Sequence, residues 1–483
     1  MIGVDIIAAG DEGQALSTSA RVFDSPESPA DLATIAVLER GVRDADLAAP
    51  PVVLPDFHHK SNMEMPSSIA VATRETIRPT LTSASLNCGM ALIALPMERP
   101  SGAAIATFYQ RVKTRYPFPP RHRLELTGRD VLRCAEEGGW FAVDRCGIDP
   151  AELDRVEAQS RLDLEPYGGA QRLRRELPWL VVQLARLRFG TVGPSNHFVE
   201  LQEVEEILDP VVASRLGVHQ GQVTLQYHAG GGALTGELGA LFGRRKHSSL
   251  ALQLVRATQR PIYHLASARS LAELRQRFSL YFSRDCPAVP INGDEGRRLM
   301  LANAAAMNYG FAFRLATYAS LGALAREAFG GDGPQLVVDS PHNSIYEEEV
   351  RGAPAVVHRH NSCRAFPASK MVGHPVFADT GQPVLLPGSH RTSSYLCVAA
   401  EGSARSLHSA CHGAGSTITQ FAQRGLSGLD PSGHTTVRYD YAHAEPETVR
   451  HLDDRGVDAA LAILVRNDLV RPVARLRPFA VLN

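Results

Sequence analysis

Short apolar runs closed by Pro or Gly dominate the first ninety residues. Pro50-Pro-Val-Val-Leu-Pro55 and Ser68-Ile-Ala-Val-Ala-Thr73 are of this kind and predict short strands joined by turns. Helical periodicity follows over Ala103 to Arg115 and Asp130 to Trp140. The stretch from Pro150 to Gly190 is the most helix-rich, and Ala151-Glu-Leu-Asp-Arg-Val-Glu-Ala158 is expected to open it as a helix. From Thr191 onward strand-like segments alternate with glycine-rich turns: Phe198 to Val204, Val223 to Tyr227, Gln335 to Val338 and Pro383 to Leu386. An Ala-rich, Pro-free pattern over Asp294 to Arg326 predicts a long helix, Asp453 to Val465 another, and Val473 to Val481 a closing strand. Strands and helices are intermixed, so the expected class is α+β or complex α/β. No linker interrupts the pattern. We expect one large domain over 1–483 with a helical insertion at about 100–190.

Composition narrows the functional classes. Hydrophobic residues make up 44% and charged residues 21% of the 483, which excludes a wholly disordered chain. Fifty Lys and Arg against 51 Asp and Glu leave a net charge of -1, so any nucleic-acid contact must come from a local patch. Gln171-Arg-Leu-Arg-Arg175 and Arg186-Leu-Arg188 offer one, or else a solvated helix surface. No apolar run reaches the roughly 18 residues of a membrane span. The acidic N-terminal stretch lacks the character of a secretory signal. Seven cysteines, with no CxxC pair, speak against a disulfide framework and for a cytoplasmic location.

Six segments place a polar or metal-ligating residue beside Gly, Asn or Pro at the end of an apolar run. They are Pro55-Asp-Phe-His58, Leu86-Asn-Cys-Gly-Met90, Gly193-Pro-Ser-Asn-His-Phe198, Leu225-Gln-Tyr-His-Ala-Gly230, Val338-Asp-Ser-Pro-His-Asn343 and Ser409-Ala-Cys-His-Gly-Ala-Gly415. Each fits a strand running out into a loop, where functional side chains concentrate. His and Cys together suggest a metal site. Spacing alone does not join segments more than 300 residues apart.

The whole set, in this order, resembles the RtcB family of RNA-splicing ligases. The resemblance rests most on Ser195-Asn-His-Phe-Val-Glu200, Pro341-His-Asn343, Val357-His-Arg-His-Asn-Ser-Cys-Arg-Ala-Phe-Pro367, Gly381-Gln-Pro-Val-Leu-Leu-Pro-Gly-Ser389 and Cys411-His-Gly-Ala-Gly415. It implies an α+β fold with a central β core and surrounding helices. It also implies GTP and Mn²⁺ as cofactors, and RNA with 3'-phosphate or 2',3'-cyclic phosphate and 5'-hydroxyl ends as partner. Whether a protein partner activates the enzyme stays open. By the same resemblance His412 is the guanylylated nucleophile, oriented by Asp56. Cys88, His197, His228 and His342 are the metal ligands. Asn196, Glu200, Gly388, Ser389, Gly413 and Ala414 contact the nucleotide.

Several positions depart from the family pattern. Ser85 stands where an acidic metal ligand is expected, Gly232 and Ser416 where arginines are expected, and His360 in place of a lysine. Val449 replaces a tyrosine near the base, and Asn483 lies where a lysine usually contacts the nucleotide. His390, Arg391, His360 and His408 are candidates to supply replacement donors. Two alternatives to RNA ligation therefore remain: nucleotidyl transfer to another acceptor, and a non-catalytic paralogue.

Overall fold

The computed structural model describes residues 20–61, 63–83, 85–115, 126–186, 189–190, 192, 197–242, 250–282, 288–331 and 333–483. Its centre is a large sheet whose main path runs Pro383–Leu386, Ser394–Ala399, Val470–Leu482, Phe198–Ile207, Val223–Ala229, Gly89–Leu95 and Gln335–Pro341. Each neighbour on this path is antiparallel. Thr435–Tyr439 runs parallel to the end of Val470–Leu482 and carries Glu447–Arg450 outside it. A second sheet orders Arg21–Val22, Val52–His58, Ser67–Thr73, Ala353–His360 and Asn343–Val350. A short ladder pairs Ser362–Arg364 with Ser409–Cys411. The class is α+β.

The strands Gly89–Leu95 and Val223–Ala229 are buried at every position. Such strands read as continuous apolar runs, because both sheet faces are covered. One face carries the helix Asp294–Phe329, about 54 Å long at 1.5 Å per residue. Against it pack Gly102–Arg115, Gly128–Glu137, Gly139–Cys146 and Gly232–Phe242. The other face is closed by a smaller core that includes Met90, Leu92, Val338, Met371, Phe377 and Leu396. No helix among the described residues is long and apolar enough to cross a membrane.

Two predicted elements differ. The helix expected over Asp130 to Trp140 breaks at Gly138, with φ of 59°, into Gly128–Glu137 and Gly139–Cys146. Pro150–Arg155 and Glu157–Ser160 form 3-10 turns instead of a regular helix. Ala158, Gln159 and Ser160 have φ of 54, 48 and 64°, a left-handed run that ends helical propagation. The cause is Glu157, whose carboxylate is drawn inward to accept from Ser340 Oγ at 2.9 Å, Tyr346 Oη at 2.7 Å and Gln382 Nε2 at 2.8 Å. Three buried donors outweigh the local preference for helix.

The topology gathers strand ends. Gly89 pairs with both Ala229 and Pro341, and Phe198 with His228. Cys88, His197, His228 and His342 therefore share one end of the large sheet. His342 is also the link into the second sheet, between Gln335–Pro341 and Asn343–Val350.

Gly310 lets the long helix approach this end. A Cβ built there would meet Asn87 Cβ at 2.6 Å and Cγ at 2.8 Å. Helix propensity alone favours Ala over Gly by about 1 kcal/mol, whereas overpacking costs about 1–3 kcal/mol. Gly310→Ala should therefore lower stability in urea unfolding. A stabilised variant would show that the close approach is not tight.

Candidate metal and nucleotide site

Cys88 Sγ lies 3.3 Å from His228 Nε2 and 3.6 Å from His197 Nε2, and His228 Nε2 lies 3.1 Å from His342 Nε2. The donor atoms of Cys88, His228 and His342 all fall within 4.8 Å of one another, and all three residues are buried. Ligand atoms around a tetrahedral ion with bonds of about 2.0–2.3 Å stand roughly 3.3–3.7 Å apart. The Cys88–His228 separation of 3.3 Å meets this range and the His228–His342 separation of 3.1 Å falls just short of it, so a small side-chain shift lets the trio hold one divalent ion. His197 adds a fourth donor on the Cys88 side, its ring 4.9 Å from that of His228. Thiolate plus imidazole is a soft to borderline set that favours Zn²⁺ over Mn²⁺ on affinity.

The turn carrying Cys88 is held from beneath. Asn87 has φ of 55° and is fully buried. Its carbonyl and side-chain oxygens both accept from Arg314 Nη1, the second at 2.5 Å. Arg314 Nε also lies 2.9 and 3.0 Å from the two Asp339 oxygens, and Nη2 donates to Asp339 as well. The Cys88 carbonyl accepts from the His342 amide at 2.9 Å. Burial pushes the Cys88 thiol up to about 12, while the Arg314 charge, the Ser85 hydroxyl and the Gly89 amide pull it back. Neither Arg314 nor Asp339 was among the candidates read from the sequence. The only trace there is Asp339 within Val338-Asp-Ser-Pro-His-Asn343; Arg314 lies unmarked in a helical run.

His412 follows the strand Ser409–Cys411 and stacks on His342, with ring centroids 3.5 Å apart at 13°. Its ring lies 5.1 Å from that of His228. Desolvation pushes its imidazole down to about 3, so it is neutral near pH 7. Asp56, at a strand irregularity with φ of 64°, does not reach this ring. Its carboxylate accepts from the Thr417 amide at 2.9 Å and faces His58 Nδ1 at 3.8 Å. It caps the first turn of Gly415–Gln423 and so fixes the loop rather than the imidazole. Burial pushes Asp56 up to about 6, against the pull of His58 and the Thr417 and Ser416 amides.

The nucleotide candidates meet along one network. Gln202 Nε2 donates to Glu200 at 2.7 Å, and lies 3.0 Å from Gln226 Oε1 and 3.3 Å from Ser394 Oγ. Ser394 Oγ accepts from the Gly388 amide at 3.1 Å. Ser389 N donates to Thr392 Oγ1 at 2.8 Å, and Ala414 N to Pro387 O at 3.1 Å, so the two loops brace each other. A Cβ at Gly388 would meet Ser393 O at 2.1 Å, and one at Gly413 would touch Pro387 at 3.4 Å. Asn196 lies outside the described residues.

The departing positions have physical correlates. Gly232 has φ of 81°, and a Cβ there would meet Tyr309 at 2.5 Å and Phe313 at 3.0 Å. An arginine does not fit this backbone. His360 is buried opposite Asn343, and its charge would oppose that of His342. Arg438 Nε donates to Asn483 Oδ1 at 2.7 Å, and Arg438 and Arg391 both press on His390. His408 is taken up by Ser403 Oγ at 3.2 Å and the Phe366 ring. Part of the suspected basic face is salt-bridged: Arg172 bonds Glu176 and Asp294, and Arg174 bonds Glu136. Arg186 donates instead to the Leu126 carbonyl and to Gln183, and Arg188 lies outside the described residues. Cys88, Cys134, Cys146, Cys363, Cys397 and Cys411 are free, and Cys286 lies outside the described residues.

Residues 42–483 match the family described as tRNA-splicing ligase RtcB. The chain belongs to the RtcB family. Among relatives, the tRNA-splicing ligase RtcB of Pyrococcus abyssi is 28% identical over 415 residues, 82% of this chain and 42% of the relative. That of Thermococcus kodakarensis is 26% identical over 456 residues, 89% of this chain and 86% of the relative. The RNA-splicing ligase RtcB of Mycobacterium bovis is 29% identical over 306 residues, 60% and 63% of the two chains. The chain spans less than half the length of the Pyrococcus relatives it matches, at 42, 44 and 39%.

Two outcomes test this geometry. Asp339→Asn should cost about 3–5 kcal/mol in urea unfolding, because it strands a buried guanidinium. Arg314→Lys keeps the charge but not the fork; the thiolate-to-Co²⁺ absorption of the Co²⁺-loaded protein should weaken in it. Unchanged absorption would free the Cys88 turn from Arg314. Separately, burial raises Glu200 from 4.5 to about 7. A folded-state value above the unfolded one stabilises fully below about pH 4.5, and that stability is lost as pH rises through 7. The difference is on the order of 3 kcal/mol. Glu200→Gln should flatten this pH dependence of unfolding between pH 4 and 8.

Proposed function

We propose that this chain is an RNA ligase that joins 3'-phosphate or 2',3'-cyclic phosphate ends to 5'-hydroxyl ends through a histidine–GMP intermediate. What supports the reading is His412, a neutral imidazole stacked on one member of a Cys–His–His trio, in a member of the RtcB family. A neutral ring nitrogen has a free lone pair, the form a nucleophile needs.

In the first step a ring nitrogen of His412 attacks the α-phosphorus of GTP. The N–P bond forms as the bond to pyrophosphate breaks. His342 limits the ring's tilt by stacking, and the Asp56 cap holds the following turn in register. In the second step an oxygen of the RNA 3'-phosphate takes GMP from His412, which regains its lone pair. A cyclic end must first be opened by water. Finally the 5'-hydroxyl oxygen attacks the activated 3'-phosphorus, GMP leaves and the hydroxyl proton is released. The Gly388 and Gly413 loops offer backbone amides as donors to phosphate oxygens. Cys88, His228 and His342, with His197, are the residues that would hold Mn²⁺, which when bound supplies charge neutralisation at phosphorus. A cytoplasmic setting suits a chain with a free thiol at its centre.

A second reading, transfer to a different acceptor by the same nucleophile, draws on Gly232, whose surroundings exclude an arginine. A cation on a phosphate makes a strong charge-assisted bond, and its absence here weakens the hold on a phosphate.

Incubation with α-labelled GTP and Mn²⁺ should give an acid-labile, alkali-stable protein adduct that is absent in His412→Ala. Adduct of undiminished yield in that variant would move the chemistry to another residue. RNA bearing a cyclic phosphate end and a 5'-hydroxyl end should then be joined; adduct formation without joining would favour the other acceptor.

A further inference from the structure

A cavity of about 400 Å³ opens beside Glu157, Arg364, Phe366, Lys370, His374 and Gln382, and none of the metal or nucleophile candidates lines it. Its volume falls within the roughly 300–1,000 Å³ of small-molecule sites. We infer that this cavity binds one nucleotide unit of the RNA strand, phosphate against Lys370, His374 and Arg364 and base against the aromatic wall. The inference rests on the RNA-ligase reading for its ligand, but on different residues for its evidence.

The carboxylate in the wall does not repel an anion as a free one would. Glu157 is taken up by Ser340, Tyr346 and Gln382, with Arg364 Nε at 3.9 Å. The donors that remain are arranged. His374 Nδ1 accepts from the Val376 and Phe377 amides at 3.3 and 3.1 Å. That fixes the proton on Nε2, a neutral donor. The ring stacks on Phe377, centroids 5.0 Å apart at 14°. The Arg364 guanidinium lies 4.5 Å from the Phe366 centroid and 5.0 Å from that of Tyr346, and Lys370 Nζ lies 5.9 Å from Phe366. Cations and donors beside flat aromatic faces are the requirements of a phosphate joined to a base. The left-handed Ala158 and Gln159 form part of the rim. Such strained backbone persists where the surroundings over-determine it, and it clusters at ligand sites.

The cavity also has a fixed relation to the chemistry. Arg364 pairs with Ser409 and Ser362 with Cys411, the residue before His412. Two residues of strand, about 7 Å, thus separate the cavity wall from the ladder position beside the nucleophile loop. Ser362 N in turn donates to His342 O at 3.0 Å.

The test uses the full chain and a 5'-labelled single-stranded RNA followed by fluorescence anisotropy. Lys370→Gln removes an exposed cation. His374→Asn keeps a side-chain acceptor for the two amides and loses the Nε2 donor. The double variant should bind RNA about tenfold more weakly, with a salt slope shallower by about 0.7, the share of one phosphate neutralised by Lys370. Its histidine–GMP yield should be unchanged, since neither residue touches that site. RNA affinity and salt slope both unchanged in the double variant, or in Lys370→Gln alone should the double variant misfold, would overturn the inference. So would an unsubstituted protein that forms adduct yet binds no RNA. Competition by free AMP against RNA on the unsubstituted protein, lost in the variant, would reassign the cavity to a free mononucleotide and overturn the RNA assignment. Absence of adduct from the unsubstituted protein, with RNA binding still sensitive to Lys370, would count against the ligase reading and support the cavity.

Discussion

Arg314 is fully buried, and its one guanidinium joins three parts of the molecule. It rises from the long helix, forks onto Asp339 of the strand Gln335–Pro341, and reaches Asn87 in the turn before Gly89–Leu95. A buried ion pair is weak evidence for stability, because desolvation offsets most of the Coulombic gain. Its value here is geometric. Asn87 is held at φ of 55°, a conformation that a free turn would adopt only part of the time. With both of its oxygens engaged, the next residue, Cys88, has little choice of direction. His342 is tied to the same turn through the Cys88 carbonyl. Two of the three cluster donors are therefore set by one buried cation, and His228 follows from the strand register.

The same economy governs His412. It is placed by the ladder Ser362–Arg364 with Ser409–Cys411 and by contact with His342, not by a carboxylate on its ring. Asp56 acts one turn later, at the Thr417 amide. A single carboxylate at a helix N-terminus neutralises unsatisfied amides and complements the helix dipole. It thereby fixes where the loop Gly413 to Gly415 ends. The stacked rings of His342 and His412 both sit where protonation is costly. A positive charge on either would repel the other and any ion held by the cluster.

Cys88, His228, His342 and His412 stand at strand ends beside Gly, Asn or Pro, and that punctuation marks each as a candidate. It is the family resemblance, not the spacing, that joins them into one expected site. The main strands and the long helix were legible from the chain alone, since their periodicity is local. What could not be read was what buries charge at long range. Arg314 and Asn87 are 227 positions apart, and within its helix Arg314 looks like a solvated face. Glu157 deceived the helical reading of Ala151 to Ala158: its partners are 183 to 225 positions away, and they outweigh local propensity. Asp56 was legible as a site residue but not in its contact, because the bulged strand that aims it has no sequence signature.

Ser85 stands where the family resemblance leads one to expect an acid, and the loop is held there by other means. A carboxylate at that position would add a hard oxygen donor and a negative charge beside a thiolate. The serine instead offers its hydroxyl to Cys88, and its carbonyl accepts from Asn343 Nδ2 at 3.2 Å. The loop is thus anchored by backbone and hydroxyl where an ion would otherwise help to anchor it. Electrostatics follows: with Arg314 beneath and no acid at position 85, the cluster has one fewer charge with which to compensate a second divalent ion. A soft donor set of one thiolate and three imidazoles suits a single tightly held ion better than a pair. If the chain ligates RNA, more of the charge that builds at phosphorus must then be met by fixed protein donors, and the glycine-rich loops supply them as backbone amides.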